Sequence, residues 1–353
     1  MTQYDAILIV SFGGPEGLDD VMPFLENVTR GRNIPPDRLL QVAHHYEQFH
    51  GISPINQQTR DMITALRGEL AAHGPDLPIY WGNRNWSPML SDTIQRMTDD
   101  GVKHAITFVV AAYSSYSSCR QYREDVERAR AAVGPDAPQV DKLRVFFNHP
   151  LFIEAYTERV ADAIARLPVS LQAKAKLVFT AHSIPVSMAS TSRYEAQLRE
   201  SSRLIAEKLG RKDWALVYQS RSGPPTQPWL EPDVCDYLKQ VKEKGEAEAV
   251  VIVPVGFLSD HMEVLYDLDM EARALCDEIK LPMARAASVG VHPKFIRMIR
   301  ELIVERIEQP TVRSAIGQYP ASHDACPVDC CKPPERGATG RPGPPTRPMQ
   351  ASG

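Results

Sequence analysis

Leu8-Ile-Val-Ser-Phe-Gly-Gly-Pro15 and Val178-Phe-Thr-Ala-His-Ser-Ile-Pro185 share one outline, an apolar run followed by a short turn that ends in proline. A second pair follows them, because Tyr80-Trp-Gly-Asn-Arg-Asn-Trp-Ser-Pro88 parallels Tyr218-Gln-Ser-Arg-Ser-Gly-Pro224. Internal similarity of this kind indicates a repeated structural unit. We therefore expect two similar halves that meet near residue 150.

Short apolar runs alternate with longer amphipathic patterns along most of the chain, which is typical of parallel α/β sheets. The predicted strands are Ala6 to Phe12, Pro78 to Gly82, His104 to Ala112, Lys142 to Phe146, Lys176 to His182, Ala215 to Gln219, Ala247 to Pro254 and Ala284 to Ser288. The predicted helices include Leu18 to Asn27, Pro88 to Thr98, Ser118 to Ala132, Leu151 to Arg166, Arg193 to Leu209, Asp233 to Lys242 and His292 to Glu308. Each half should be doubly wound and Rossmann-like, with a cleft between the strand ends of the two halves.

This pattern predicts four regions along the chain. Residues 1–150 and 151–308 form the two halves, and residues 309–332 form a C-terminal extension with clustered cysteines. Residues 333–353 are rich in proline and glycine and cannot form a core, so we predict a disordered tail.

The composition is that of a globular protein without a broad basic surface. Of 353 residues, 43% are hydrophobic and 24% are charged, and the net charge is -4. This balance argues against nucleic acid as a partner. No apolar run is long enough to span a bilayer, and the N-terminus lacks the features of a signal peptide. We expect a cytoplasmic protein.

An acidic run from Leu258 to Asp269 directly follows the apolar run from Val250 to Phe257. If a helix begins near Asp260, then Asp260, Glu263 and Asp267 share one helical face beside His261. An acidic helical face is most often simply solvated. At the carboxyl end of a buried strand, however, ligands bind, and a row of carboxylates there can handle a cation.

His182 ends another predicted strand of the same half. A lone histidine is more often structural than functional. Facing carboxylates, it fits either a metal site or a proton-transfer pair.

Two further groups come from the first half. The loop Ser11–Gly17 is glycine-rich but fits neither the dinucleotide fingerprint nor the Walker pattern, so it predicts a tight turn with close backbone approach. Arg and Tyr side chains are usually surface residues, but arranged around one cleft they would suit the carboxylates of an acidic ligand. This group comprises Arg30, Arg32, Tyr46, Ser53 and Tyr122.

Read in order, these motifs resemble those of ferrochelatases, which insert ferrous iron into a porphyrin. Thr180-Ala-His-Ser-Ile-Pro185 is similar to the family's catalytic-histidine motif, and Ser259–Asp269 is similar to its acidic helix. Further matches are Gly51-Ile-Ser-Pro-Ile55, Arg30-Gly-Arg32, Tyr218-Gln-Ser-Arg-Ser222 and Pro228-Trp-Leu-Glu-Pro-Asp233. The resemblance covers roughly residues 5 to 305.

The resemblance implies roles for these residues. Iron insertion must remove two pyrrole protons and strip water from Fe2+, so it needs a base and transient ligands. By resemblance, His182 accepts protons or contacts the metal, and Glu263 is its partner across the macrocycle. Asp260 and Asp267 guide iron inward or carry protons out. Phe12 stands where several bacterial relatives carry tyrosine, so this porphyrin-facing position offers no oxygen ligand.

The cysteines add a second implication of the resemblance. Some family members, including actinobacterial ones, bind a [2Fe-2S] cluster through one internal and three C-terminal cysteines. Cys119 matches the internal position, and Cys326, Cys330 and Cys331 supply the other three. A reduced cysteine tail or adventitious zinc is the alternative. Cys235 and Cys276 fall on predicted helices and are interpreted as apolar fillers.

The actinobacterial branch of the family implies coproporphyrin III, with four propionates, as the substrate in heme biosynthesis. Three alternatives stay open at this level: protoporphyrin IX as the porphyrin, a cobalt chelatase of a reduced tetrapyrrole, and a non-catalytic tetrapyrrole or metal carrier. The cobalt enzymes typically use paired histidines, whereas this chain pairs His182 with an acid. We expect a monomer.

Overall fold

The structure, a computed structural model, consists of two four-stranded parallel sheets and describes residues 4–31, 34–223 and 226–333. The first sheet has the order β2-β1-β3-β4 and contains β1 (Ala6–Ser11), β2 (Ile79–Asn83), β3 (His104–Val109) and β4 (Gln139–Lys142). The second sheet has the order β6-β5-β7-β8 and contains β5 (Ala175–His182), β6 (Trp214–Gln219), β7 (Ala249–Val253) and β8 (Met283–Arg285).

The two sheets have the same topology, which confirms the duplicated, doubly wound α/β fold expected from the repeated motifs. In each sheet the first strand in the chain pairs with the second strand on one side and the third on the other. The strand order therefore reverses at β1 and at β5. Crevices at such reversals are where ligands bind in open parallel sheets.

Helices cover both faces of each sheet. Those of the first half are α1 (Leu18–Val28), α2 (Pro36–Glu47), α3 (Ile55–His73), α4 (Leu90–Asp99) and α5 (Gln121–Val133), with a π-helical turn, Tyr116–Arg120, before α5. Those of the second half are α6 (Pro150–Ala165), α7 (Val169–Gln172), α8 (Val186–Ala189), α9 (Tyr194–Lys208), α10 (Val234–Lys244), α11 (Met262–Val264), α12 (Arg273–Glu278) and α13 (Pro293–Glu308). A π-helical segment, Leu265–Ala272, joins α11 to α12.

One apolar core is shared by the two halves. Helices α3, α6, α9 and α13 lie between the sheets, and their buried faces include Leu66, Phe152, Leu198 and Ile299. Burying such side chains stabilises the fold by about 1.5–3 kcal/mol each before entropy is counted. Because buried residues of both sheets and of these helices belong to this one core, the core fixes the cleft between the halves.

The predicted strand at Lys142–Phe146 is wrong in its position along the chain. The strand β4 ends at Lys142, and the following run from Leu143 to Phe147 leaves the sheet. Its apolar side chains are buried in the shared core instead. An apolar run alone does not distinguish sheet pairing from burial between layers, which explains the displacement.

The C-terminal extension crosses back over both halves after α13. Ile316 donates its backbone N–H to the carbonyl of Asn148, and the Asn148 amide donates to Tyr319 at 2.7 Å. The backbone N–H of Gln318 donates to the buried carboxylate of Glu200 at 2.6 Å. These contacts carry the chain to the first half, where its cysteines lie. The predicted disordered tail lies outside the described residues apart from Pro333.

Candidate active site and cysteine pocket

His182 and Glu263 come together at the strand ends of the second half. His182 is the last residue of β5, and Glu263 lies in the first helical turn after β7, so they flank the point where the strand order reverses. The His182 Nε2 atom is 3.5 Å from the Glu263 Oε1 atom. Both side chains open to the cleft, with 32% and 44% of their surface exposed.

The second ring nitrogen of His182 is held by the backbone. Its Nδ1–H donates a short hydrogen bond to the carbonyl of Ser183, so Nε2 is the atom left to face Glu263. The hydroxyl of Tyr194 donates to the His182 carbonyl at 3.0 Å. The ring is therefore oriented by rigid neighbours rather than by Glu263 alone.

The pair carries a proton at rest. Burial opposes the charge on His182, but the Glu263 carboxylate outweighs it and raises the pKa of His182 to about 9. Burial would raise the pKa of Glu263, but the imidazolium lowers it to about 2. At neutral pH the site is an imidazolium–carboxylate ion pair.

The acidic helix begins at Met262, two residues later than predicted. His261 caps it, because its Nδ1 atom accepts the backbone N–H of Glu263 at 3.2 Å. Burial lowers the pKa of His261, which favours the neutral ring needed for this acceptor role. Asp260 thus precedes the helix.

The prediction that Asp260 shares a face with Glu263 and Asp267 is wrong. The Asp260 carboxylate accepts from the Arg285 guanidinium at 2.9 Å and from the backbone N–H of Ser288 at 3.1 Å. Arg285 also binds Asp269 at 2.6 Å. Asp260 lies outside the helix, and its carboxylate points to Arg285 at the end of β8. It is therefore occupied by this ion pair.

Asp267 lies on the Glu263 side of the π-helical segment. Its carboxylate accepts a short hydrogen bond from the Ser220 hydroxyl and a second from the Gln219 amide at 3.3 Å. The same Gln219 amide donates to the Glu263 carbonyl at 2.9 Å. Burial, the largest effect, and the nearby Glu263 charge raise the pKa of Asp267 to about 7, although the bond from Ser220 opposes this.

Aromatic side chains of the first half form the opposite wall of the cleft. Phe12, Tyr46 and Trp86 pack around Phe24, with ring centroids 6.0–6.3 Å from it. Burial raises the pKa of Tyr46, and the Glu263 carboxylate adds to this effect across the cleft. This wall and the His182–Glu263 pair therefore enclose one space.

The glycine loop after β1 is the close-approach turn that the sequence predicts. Gly13 has a φ of +81°, where an added Cβ would lie 2.8 Å from the Asn83 Cβ atom. A Cβ on Gly14 would lie 2.7 Å from the Ser53 Cβ atom. Ser53 is only 4% exposed, so its hydroxyl sits directly under this loop.

The predicted carboxylate-binding group is only partly assembled. Arg30 is exposed after the end of α1, and Arg32 lies outside the described residues. Tyr122 is 5% exposed, and its ring lies under Arg84, whose guanidinium carbon is 4.5 Å from the ring centroid. Arg84 in turn pairs with Asp125. Direct binding of a cleft ligand by the Tyr122 hydroxyl stays a prediction, and in this structure Arg84 lies over the Tyr122 ring.

The four predicted cluster cysteines share one small pocket. Cys119, on the π-helical turn of the first half, lines it together with Cys326, Cys330 and Cys331 of the C-terminal extension. The Sγ atoms of Cys330 and Cys331 are 3.6 Å apart. Cys331 has a backbone φ of +51°, which is uncommon for a residue other than glycine.

Cations surround this pocket. Arg120, Arg123 and Lys142 complete its lining, and Arg120 also donates to the carbonyls of Val328 and Cys330 at 3.2 Å. The hydrogen bond from Cys326 is the main cause of a lowered pKa at Cys119, and Lys142 and Arg123 add to it against burial. Positive charge of this kind favours thiolates.

The comparison with protein families decides the relationship. A sequence model described as Ferrochelatase matches residues 4–307, which is most of the chain. The chain belongs to the ferrochelatase family. A protein of Rhodopirellula baltica named "Ferrochelatase" is 53% identical over 354 residues, covering 99% of this chain and 98% of its own.

This ferrochelatase-family chain is also similar to a second curated protein in sequence and to a solved structure in fold. "Coproporphyrin III ferrochelatase" of Streptomyces coelicolor is 49% identical over 350 residues, covering 93% of each chain. The solved structure "SirB from Bacillus subtilis with Fe3+" aligns with a TM-score of 0.55 over 87% of this chain and 98% of its own. At 13% identity, that likeness concerns the chelatase-like fold alone.

Several residues of this ferrochelatase-family site were missed from the sequence. Gln219 and Ser220 lie in the quoted Tyr218–Ser222 motif, so their position after a strand could have indicated them. Ser220 has a φ of +61°, which helps present its hydroxyl to Asp267. Arg285 carries no sequence signal for its partner Asp260. Cys235 and Cys276 pack in the outer apolar core of the second half, as predicted.

Among the described residues of this ferrochelatase-family chain, no helix combines the length and apolar character that a membrane span requires.

Proposed function

We propose that this protein inserts Fe2+ into coproporphyrin III to form Fe-coproporphyrin III in heme biosynthesis. The observation that carries the proposal is the His182–Glu263 pair, 3.5 Å apart and open to a cleft walled by aromatic rings. A flat macrocycle needs an apolar wall, and its centre needs a base and a metal-contacting oxygen.

His182 is the proton acceptor in this proposal, and its resting charge sets the order of events. A protonated imidazole cannot take a pyrrole proton, so the ion pair must lose its proton before or while the porphyrin reacts. Fe2+ arriving beside Glu263 replaces the imidazolium as the carboxylate's partner, which lowers the pKa of His182 and releases that proton. Metal arrival and base activation are thereby coupled.

Asp267 provides the route between this pair and the outside. Its carboxylate changes charge near neutral pH, whereas Glu263 stays ionised. When two carboxylates have different pKa values, the one that stays ionised can hold a cation and the one that titrates near neutral pH can pass protons. Asp260, fixed by Arg285, serves to anchor the start of the helix rather than to carry iron.

We expect Asp267→Asn to lower kcat/KM for Fe2+ about tenfold at pH 8 and to remove its rise between pH 6 and 8. The Asn variant should also be more stable. Because the folded-state pKa, about 7, lies above the ordinary 3.8, the stability cost of this buried carboxyl is absent below pH 4, grows between pH 4 and pH 7 and is complete above pH 7. Denaturant unfolding should show a gain of about 2 kcal/mol at pH 8 and almost none at pH 4.

Asp236→Asn is the matched control, since Asp236 lies in the first turn of α10 and pairs at 3.7 Å with Lys239 on the surface. It should change neither the rate profile nor its pH dependence. Equal pH profiles in wild type and the Asp267 variant would remove Asp267 from the route.

Carboxylate partners around the cleft support coproporphyrin III as the porphyrin. Arg30 is exposed just after α1, Tyr46 belongs to the aromatic wall, and Ser53 lies under the glycine loop. Tyr122 acts through Arg84, which it holds in place. A porphyrin with four propionates can form more charge-assisted hydrogen bonds with such partners than a porphyrin with two.

The direct test mixes purified protein anaerobically with Fe2+ and either coproporphyrin III or protoporphyrin IX and follows the absorption bands. We expect turnover with coproporphyrin III and a kcat/KM at least tenfold lower with protoporphyrin IX. The reverse order would transfer the proposal to protoporphyrin IX. Porphyrin binding without turnover would favour a carrier, and turnover with cobalt and a reduced tetrapyrrole alone would favour the cobalt alternative.

The cysteine pocket supports a [2Fe-2S] cluster as a resident group. Its four thiols lie on one pocket, and the 3.6 Å separation of Cys330 and Cys331 suits two donors on one iron. The surrounding cations suit the negative charge of a four-thiolate cluster. When bound, such a cluster supplies one-electron chemistry and a cross-link, and here it would tie the C-terminal extension to Cys119 of the first half.

We expect the protein to be brown after anaerobic reconstitution with iron and sulfide, and Cys330→Ser to lose that colour. The serine oxygen is a poor substitute for the thiolate on iron, so the visible bands should fall by at least about tenfold. Cys235→Ser, outside the pocket, should keep them. A colourless wild type after full reconstitution would end the cluster proposal. We further propose that the protein acts as a monomer, which sedimentation at micromolar concentration tests.

A further inference from the structure

A fifth donor that the cluster does not use lies beside the cysteine pocket. His323 lies on the C-terminal extension, and its Nε2 atom is 3.9 Å from the Cys330 Sγ atom. The donor atoms of His323, Cys326 and Cys330 all lie within 4.8 Å of one another. Cys330 therefore stands between two alternative neighbours, His323 on one side and Cys331 on the other.

These distances suit a single tetrahedral ion. With metal–sulfur bonds near 2.3 Å and metal–nitrogen bonds near 2.0–2.1 Å, donors on one zinc ion lie about 3.5–3.8 Å apart. The separation of 3.9 Å between the Cys330 Sγ and His323 Nε2 atoms is close to this range. Thiolates on opposite irons of a two-iron cluster must lie further apart, because both irons stand between them.

The fourth donor comes from the other half of the fold. The Cys119 thiol lines the same small pocket as Cys326 and Cys330, so a metal held by these two cysteines lies next to Cys119. Three thiolates and one imidazole form a Cys3His set, which is a closed structural zinc site. Lys142 and Arg123 beside Cys119 offset the excess negative charge of three thiolates.

We propose that this pocket is also a mononuclear zinc site with His323, Cys326, Cys330 and Cys119 as ligands. Zinc and the [2Fe-2S] cluster then compete for three shared cysteines, and each uses one residue that the other does not. His323 belongs to the zinc site, and Cys331 belongs to the cluster. The zinc form retains the cross-link between the C-terminal extension and the first half without redox chemistry.

Co2+ is the probe, because it replaces Zn2+ in tetrahedral sites and absorbs visible light. The metal-free full-length protein is titrated anaerobically with Co2+, and competition with Zn2+ then gives the relative affinity. We expect one Co2+ per chain with intense thiolate charge-transfer and tetrahedral bands. His323→Ala should weaken Co2+ at least about tenfold, while Cys331→Ser should change its affinity less than about threefold.

Reconstitution with iron and sulfide should reverse the effects of the His323 and Cys331 substitutions. We expect His323→Ala to keep the [2Fe-2S] bands and Cys331→Ser to lose them, and Cys235→Ser to match wild type in both assays. His323→Gln keeps a side chain of similar volume and therefore controls for a folding defect. Its far-UV circular dichroism spectrum should match that of wild type.

Two results would overturn the zinc proposal: unchanged Co2+ affinity in both His323 variants, or an equal loss in Cys331→Ser. Neither readout involves iron insertion, so failure here leaves the proposed chelatase function untouched. If wild type forms no cluster but binds Co2+ through His323, the pocket is a zinc site alone.

Discussion

His182→Ala is expected to abolish iron insertion, with kcat falling by about 10³-fold or more, while porphyrin affinity changes less than about threefold. Alanine removes the base that faces Glu263 at 3.5 Å, but the aromatic wall that holds the macrocycle lies in the other half. Anaerobic assays of the metalloporphyrin bands give kcat, and quenching of porphyrin fluorescence gives the affinity. The split between kcat and binding distinguishes a lost base from a damaged cleft.

The same variant offers a chemical rescue. The His182 side chain is 32% exposed to the cleft, so added imidazole can enter the space that alanine leaves. Imidazole should restore part of the rate with a dependence that follows its neutral form. His73→Ala, at the exposed end of α3, is the control and should behave as wild type. Unchanged turnover in His182→Ala would remove His182 from the mechanism.

Glu263→Gln is expected to lower kcat about 10²-fold or more, even though it makes His182 a more available base. Two effects oppose each other here. Without the carboxylate, burial is the main influence on His182 and its pKa falls from about 9, which makes the neutral imidazole more available at pH 7.5. The amide, however, is a much weaker partner for Fe2+ than the carboxylate. We expect the lost metal contact to dominate.

Two measurements separate these effects. An NMR titration of labelled histidine should show the pKa of His182 falling in Glu263→Gln, and a plot of kcat/KM against Fe2+ should show the weaker metal step. Glu278→Gln, at the far end of the same helical run, is the matched control. A rate above wild type in Glu263→Gln would mean that Glu263 only restrains His182. A fallen rate with an unchanged His182 pKa would contradict the ion pair itself.

The strand pattern and the location of the His182–Glu263 pair were predictable because both depend on local order along the chain. His182 and Glu263 each follow a buried strand, and parallel strands bring their carboxyl ends to one edge. The glycine loop after β1 was likewise readable, because close approach at Gly13 and Gly14 excludes a side chain whatever the partner.

Other parts of the site could not be read in this way. The start of the acidic helix depends on His261 acting as its cap, and a shift of two residues takes Asp260 out of the row. Arg285 then decides what Asp260 does. Likewise, the guanidinium of Arg84, from a different loop, lies over the Tyr122 ring, a contact that the sequence does not indicate. These contacts depend on which side chains the packed fold brings together, and this cannot be inferred from neighbouring residues in the chain.

The sequence by itself determined the duplicated α/β architecture, the family and the side chains that end β5 and follow β7. Periodicity and strand-end chemistry are properties of neighbouring residues, so one chain displays them. Only the tertiary structure decided that Asp267 rather than Asp260 joins Glu263, and that His323 lies beside Cys330 at the edge of the cysteine pocket. These pairings join residues far apart in the chain, and their geometry exists only when the shared core has fixed the halves and the C-terminal extension in place.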